Sequence, residues 1–177
     1  KGITIKLSSA FSYINLESNN LIDIGAATSD KKVADFAMDN SLAGLEFLAC
    51  IPGSIGGAVR MNTGCYGDDI SKILYSIKVI DIQGKMREIK AKDIKFSYRN
   101  ANIEENLIVT NVKLIGNRSV KKKIEEKQKV MIERKKNSQP SQIKTCGSTF
   151  KNPKNKKAWK LIKESNCENF KVGNAKI

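Results

Sequence analysis

Ile51-Pro-Gly-Ser-Ile-Gly-Gly-Ala-Val-Arg-Met-Asn-Thr-Gly-Cys-Tyr-Gly67 is the stretch on which the reading of this chain turns. It carries five of the twelve glycines in 177 residues. Glycine lets backbone N–H groups come close to an anion, and it permits the positive φ angles such a cradle needs. A pyrophosphate, or a planar ring laid against the backbone, is the natural guest. The plainer alternative is a set of tight turns between strands. The spacing excludes two familiar phosphate loops. No Gly-Lys-Ser/Thr follows, as a Walker A loop requires, and Gly53 with Gly56-Gly57 does not make GxGxxG.

Outward from this loop, the hydrophobic pattern predicts strands first and helices later. Gly2–Leu7 alternates at period two, as a half-buried strand does. Asn19-Asn20 reads as a turn before a strand at Leu21–Ile24. Thr28-Ser29-Asp30 is a helix start, with Val33, Phe36 and Ala37 on one face. Ile77–Ile82, Gln83-Gly84 and Lys85–Ile89 read as a hairpin, and Leu107–Ile115 as a long strand. Ser119–Asn137 is predicted helical, with a thin apolar stripe of Val120, Ile124 and Met131. Gln139-Pro140-Ser141 breaks it. A shorter helix is expected from about Lys156 to Glu164, with Trp159 and Ile162 on one side. The mixture predicts an α+β fold.

Composition narrows the chemistry. Cys50, Cys65, Cys146 and Cys167 contain no CxxC, and there is no histidine, which argues against a zinc site and leaves no metal expected. Free thiols are expected rather than a disulfide framework. The net charge of +14 is uneven. Residues 1–112 hold 13 basic and 13 acidic side chains, and residues 113–177 hold 19 and 5. That segment favours an anionic partner, or is simply a solvated lysine-rich face. No apolar run approaches the ~20 residues of a membrane span, and no signal peptide is evident.

Two later segments carry candidate chemistry. Arg99 closes Phe96-Ser-Tyr-Arg99, and an arginine in a cleft grips a carboxylate or phosphate through its planar fork. Ser148 sits in Thr145-Cys-Gly-Ser-Thr-Phe-Lys-Asn-Pro153. Without histidine, a Ser-His-Asp triad is excluded, and no GxSxG elbow is present. A serine here acts by another route.

Together these segments resemble the UDP-N-acetylenolpyruvoylglucosamine reductase family, in the form lacking a tyrosine loop. Gly44–Gly67 is similar to its flavin-binding loop, Phe96–Arg99 to its substrate tyrosine and catalytic arginine, and Gln139-Pro140 with Gly147–Pro153 to its catalytic serine motif. The resemblance covers essentially the whole chain. It implies a FAD-binding subdomain of the vanillyl-alcohol-oxidase type over residues 1–144 and the start of a substrate-binding domain over 145–177. It implies NADPH as reductant of FAD, and reduction of UDP-N-acetylenolpyruvoylglucosamine to UDP-N-acetylmuramate for peptidoglycan. By position, Arg99 and Ser148 are then catalytic, the serine as general acid and the arginine as stabiliser of developing charge. Ile51, Pro52, Gly53, Ser54, Ile55, Gly56, Gly57, Asn62, Gly64 and Tyr66 would line the flavin. Tyr98, Gly147 and Asn152 would hold the UDP-sugar. A cytoplasmic monomer is expected, with no nucleic acid and no membrane as partner, serving cell-wall biogenesis and hence cell shape and division.

The family pattern also has an N-terminal subdomain with a Gly-Ser-Asn motif, and a continuation through Ser-Glu-Lys-His to a catalytic glutamate. Neither lies in these 177 residues, so little or no turnover is expected of the chain alone. Smaller departures are Cys50 where glycine is usual, Cys146 where a small residue is common, Ser138 where many members carry lysine, and Val172–Lys176. Two other readings remain open at this level. One is an inert remnant of such a reductase. The other is a basic nucleic-acid-binding module over 119–163, for which arginine and aromatic readers are sparse.

Overall fold

The computed structural model describes residues 4–138 and 149–176. The chain divides into two compact units, with residues 4–138 in the first and 149–176 in the second.

The first unit is built on a five-stranded antiparallel sheet. Its strands are β1 (Ile14–Leu16), β2 (Leu21–Gly25), β3 (Leu74–Ile80), β4 (Met86–Lys90) and β5 (Ile108–Ile115). Their spatial order is β1-β2-β5-β3-β4. Period-two patterning sets the register, because a one-residue slip would turn every apolar side chain to the wrong face. Ile22 pairs with Leu114 and Ile24 with Val112, while Ile77 pairs with Val112 across the other edge of β5. All five side chains are buried.

Helices cover that face. Helix α1 (Asp30–Asp39) starts where sequence predicts, with Ser29 accepting a hydrogen bond from the Lys32 amide. Val33, Ala34 and Ala37 are buried, and Phe36 packs against the core. A short helix, α2 (Ile55–Arg60), lies on β2 and β5. Helix α3 (Lys121–Ser138) packs on α1 and on the 3₁₀ turn Glu46–Cys50 through Ile124 and Met131.

The expected hairpin, the long strand and the turn at Asn19-Asn20 are present. Three expectations are corrected. Residues 4–7 of the first predicted strand form no strand, since they pair with no neighbour. Val120 is exposed and precedes α3, so the buried stripe is only Ile124 and Met131, joined by Gln128. Within the glycine loop, Ile55–Arg60 is helical rather than part of a run of turns.

The second unit contains helix α4 (Ala158–Glu164) and a two-stranded hairpin pairing Lys171–Val172 with Ala175–Lys176. Trp159 is exposed and Ile162 half-buried. Gly173 at φ +59° makes the hairpin turn beside Asn174.

Candidate functional site

The glycine loop is fastened to the end of β2 by its own backbone. The Asp30 amide donates to Gly53 O at 3.1 Å, the Ile55 amide to Thr28 O at 2.9 Å, and the Gly56 amide to Ala26 O at 3.0 Å. Ser29 and Ser54 form an isolated antiparallel bridge.

The glycines serve different ends. Gly56 is buried, and a Cβ there would lie 2.9 Å from Ala26 Cβ and 3.0 Å from Ala26 O, so close packing of α2 on β2 requires it. Gly53 and Gly57, with Pro52, are exposed on the outer side of the same turn. The backbone there is bare and accessible, the property a pyrophosphate or flavin needs. Further on, Gly64–Cys65 pairs with Asp68–Asp69 around a tight turn. Tyr66 and Gly67 both have positive φ, +55° and +92°. A Cβ on Gly64 would meet Asp68 O at 2.3 Å.

Asn62 links this loop to the second candidate segment. Its Oδ1 accepts from the Ser71 amide at 3.0 Å, and its Nδ2 donates to Ser97 O at 3.3 Å. Its side chain is therefore engaged in joining segments of the protein. Ser97 and Asn100 bond reciprocally, 2.8 and 3.2 Å, and place Tyr98 and Arg99 at the tip of a turn. Arg99 sits at φ +56°, a costly region for a non-glycine residue. Its Nη1 is buried with no hydrogen-bond partner among the described residues. Burying an unpaired guanidinium nitrogen is expensive, so an incoming carboxylate or phosphate is the compensation the geometry invites. Tyr98 is mostly exposed.

Sequence reading missed Arg60. Its guanidinium donates to Ile103 O at 3.3 Å, to Glu104 O at 2.9 Å and to Leu107 O, while its own carbonyl accepts from the Ala101 amide at 3.1 Å. The end of α2 is thereby pinned beside the Tyr98–Arg99 turn. No motif marks it; only the fold brings those carbonyls together. A cavity of about 430 Å³ lies between Tyr66 and α3, lined by Lys123, Lys127 and Met131 among others. The Arg134 guanidinium stands 4.8 Å from the Tyr66 ring centroid.

The cysteines near the loop are packing groups. Cys50 is buried in the core, its carbonyl taken by Lys135 Nζ. It is not among the residues with positive φ, so the side chain in place of a glycine is accommodated. Burial raises its thiol pKa, and it pushes that of Cys65 up to about 12, with Cys50 adding to the shift. Neither is a thiolate nucleophile at neutral pH. No three metal-binding side chains gather among the described residues.

In the second unit, Asn152 Oδ1 accepts from the Ala158 amide at 2.9 Å, at the start of α4. Gly147 and Ser148 lie outside the described residues, as do Cys146 and the Gln139-Pro140 motif. Ser138 ends α3, its hydroxyl donating to Lys135 O at 3.2 Å.

Residues 1–90 match the family model for an FAD binding domain. Residues 139–177 match that for the C-terminal domain of UDP-N-acetylenolpyruvoylglucosamine reductase. The chain belongs to the FAD binding domain family. It is 42% identical to the reductase of Pelagibacter ubique over 99% of this chain and 59% of that protein. For the Wolbachia pipientis wMel reductase the identity is 40%, over 100% and 60%. The crystal structure of the Thermus caldophilus reductase superposes with a TM-score of 0.85 at 30% identity, over 97% of this chain and 62% of that one. The chain thus spans about three-fifths of the length of these reductases. The likeness extends across both units.

Proposed function

We propose that this chain carries the flavin cradle and part of the substrate site of an enzyme reducing UDP-N-acetylenolpyruvoylglucosamine to UDP-N-acetylmuramate. The observation that carries the reading is Arg99. A buried guanidinium nitrogen with no hydrogen-bond partner among the described residues is held on a strained turn and tied through Asn62 and Arg60 to the exposed glycine backbone at Gly53 and Gly57. Anion recognition and a flavin cradle are thus adjoining parts of one unit.

Held on this loop, FAD reduced by NADPH would supply hydride chemistry for the enolpyruvyl double bond. The residues of the chain do the rest. Gly53 and Gly57 present bare backbone to the cofactor, with Ile51, Pro52, Ser54, Ile55 and Gly56 shaping the same loop and Gly64 and Tyr66 further along the chain. Arg99 grips the enolpyruvyl carboxylate and stabilises the charge that develops on it. Ser148 donates the proton that completes the addition. Tyr98, Gly147 and Asn152 hold the UDP-sugar. A serine hydroxyl is a weak acid, so its work depends on neighbouring charge. We place this activity in the cytoplasm, in cell-wall precursor synthesis and so in cell shape and division, with the chain acting as a monomer. No helix among the described residues is long and apolar enough to cross a membrane.

The test is the visible spectrum of the purified chain after incubation with FAD and desalting. A retained flavin band is expected, and Arg99→Ala is expected to keep it while weakening binding of the enolpyruvyl substrate about 10- to 100-fold, the worth of a charge-assisted hydrogen bond. A folded chain that retains no flavin overturns the reading.

A further inference from the structure

Asp30, the first residue of α1, is 1% exposed, and neither of its carboxyl oxygens has a hydrogen-bond partner among the described residues. It lies directly beneath the loop. Its amide holds Gly53 O, and a Cβ on Gly53 would come within 3.1 Å of its Oδ2. Buried carboxylates are ordinarily paired, because an isolated charge away from water is costly. Here the group has no cation among the described residues.

The charged side chains on the packed elements are engaged elsewhere. Lys31 of α1 pairs with Asp35, and Arg60 of α2 holds backbone carbonyls. Glu46 of the neighbouring 3₁₀ turn takes the Gly44 amide and Lys127. From α3, Lys121 reaches Asp39 and Lys135 reaches Cys50 O. Lys32, the other cation of α1, is exposed.

We propose that Asp30 is a positioning residue for the flavin loop, holding Gly53 in its cofactor-ready place only while its carboxyl is protonated. The role rests on the flavin reading given above. Burial alone pushes the Asp30 pKa from 3.8 to about 7. The group is therefore neutral in the folded protein below that value. A charge appearing there above neutrality sits unpaired under the loop, beside the place where an anionic cofactor would lie.

The sign of the effect follows from linkage. The folded pKa lies above the unfolded one, so the protonated group's contribution to stability is full below about pH 4. It is lost progressively as pH rises toward 7, and constant beyond. Flavin affinity behaves differently. It stays level below pH 7 and falls above it, by as much as tenfold per pH unit, as the charged form takes over.

The experiment compares the wild-type chain with Asp30→Asn, a neutral near-isostere, and with Asp30→Ala. Melting temperatures are recorded from pH 4.5 to 8 without flavin, and FAD titrations are followed by fluorescence at pH 6, 7 and 8. The expected result is a wild-type Tm that drops relative to both variants between pH 4.5 and 7, and an FAD affinity that falls above pH 7 in wild type alone. A Tm difference that does not change with pH overturns the proposal. So does an equal pH response of FAD affinity in wild type and Asp30→Asn. A folded wild type that takes up no FAD at pH 6 overturns the flavin reading itself, and with it this role. The melting curves then still report whether a carboxyl titrates in this buried place.

Discussion

At the scale of single residues, the loop shows that like residues can hold unlike positions. Gly56 and Gly57 are neighbours in one helix, yet a methyl on the first meets Ala26 at 2.9 Å while on the second it finds only Ser54 Oγ at 3.6 Å. Alanine in a helix interior is favoured over glycine by about 1 kcal/mol, and overpacking costs about 1–3 kcal/mol. Gly56→Ala is therefore expected to lower stability. Gly57→Ala is expected to raise it by up to about 1 kcal/mol while weakening FAD retention, because in the flavin reading proposed above its Cβ would stand where the cofactor needs bare backbone. Melting curves with and without FAD separate the two. The thiols offer a second check. Cys50 and Cys65 have raised pKa values, and Cys167 is exposed. Iodoacetamide near neutral pH is expected to modify Cys167 at least about tenfold faster than Cys65 or Cys50, a gap that closes on unfolding. Mass spectrometry of digests at timed intervals reads this directly.

At the scale of elements, the clamp between α3 and the Glu46–Cys50 turn matters more than the many charges on α3 suggest. Lys127 reaches Glu46 at 3.2 Å, and Glu46 is 3% exposed. Lys121 reaches Asp39 at 2.7 Å with both side chains more than half exposed. Removing one partner of a buried charge leaves the other under-satisfied, whereas exposed pairs are screened. Lys127→Ala is expected to cost about 1–2 kcal/mol in urea unfolding, and Lys121→Ala within about 0.5 kcal/mol. Both α1 and α3 were legible in the sequence, α1 from its Ser29 cap and apolar face, α3 from Ile124 and Met131. Helix α2 was not, because Ile-Gly-Gly-Ala-Val-Arg has two glycines and poor intrinsic propensity. It forms because Ile55, Ala58 and Val59 are buried against the sheet, and tertiary burial outweighs a local preference of about 1 kcal/mol per glycine.

At the scale of the whole molecule, the apolar core belongs to the first unit, from Ile22 to Met131 with Ile132 packed against it. A chain of residues 1–138 is expected to fold with cooperative melting close to that of the full chain, as judged by circular dichroism. A large loss would mean that the second unit supplies stability.

The sequence by itself determined the α+β class, the order of the main strands and helices, and the FAD-binding family. Alternation, caps and glycine-rich motifs are local, so they can be read in a line. The resemblance carried by Gly44–Gly67, Phe96–Arg99 and Gly147–Pro153 implied flavin chemistry, while the absence of histidine argued against zinc and excluded a Ser-His-Asp triad. Only the tertiary structure decided which glycines pack and which stay bare, that Asn62 and Arg60 tie the loop to the arginine turn, and that Asp30 lies buried with no hydrogen-bond partner among the described residues. Those properties depend on atoms 9 to 47 residues apart meeting through the fold. A residue's neighbours, and hence its charge and its freedom, are set by that meeting.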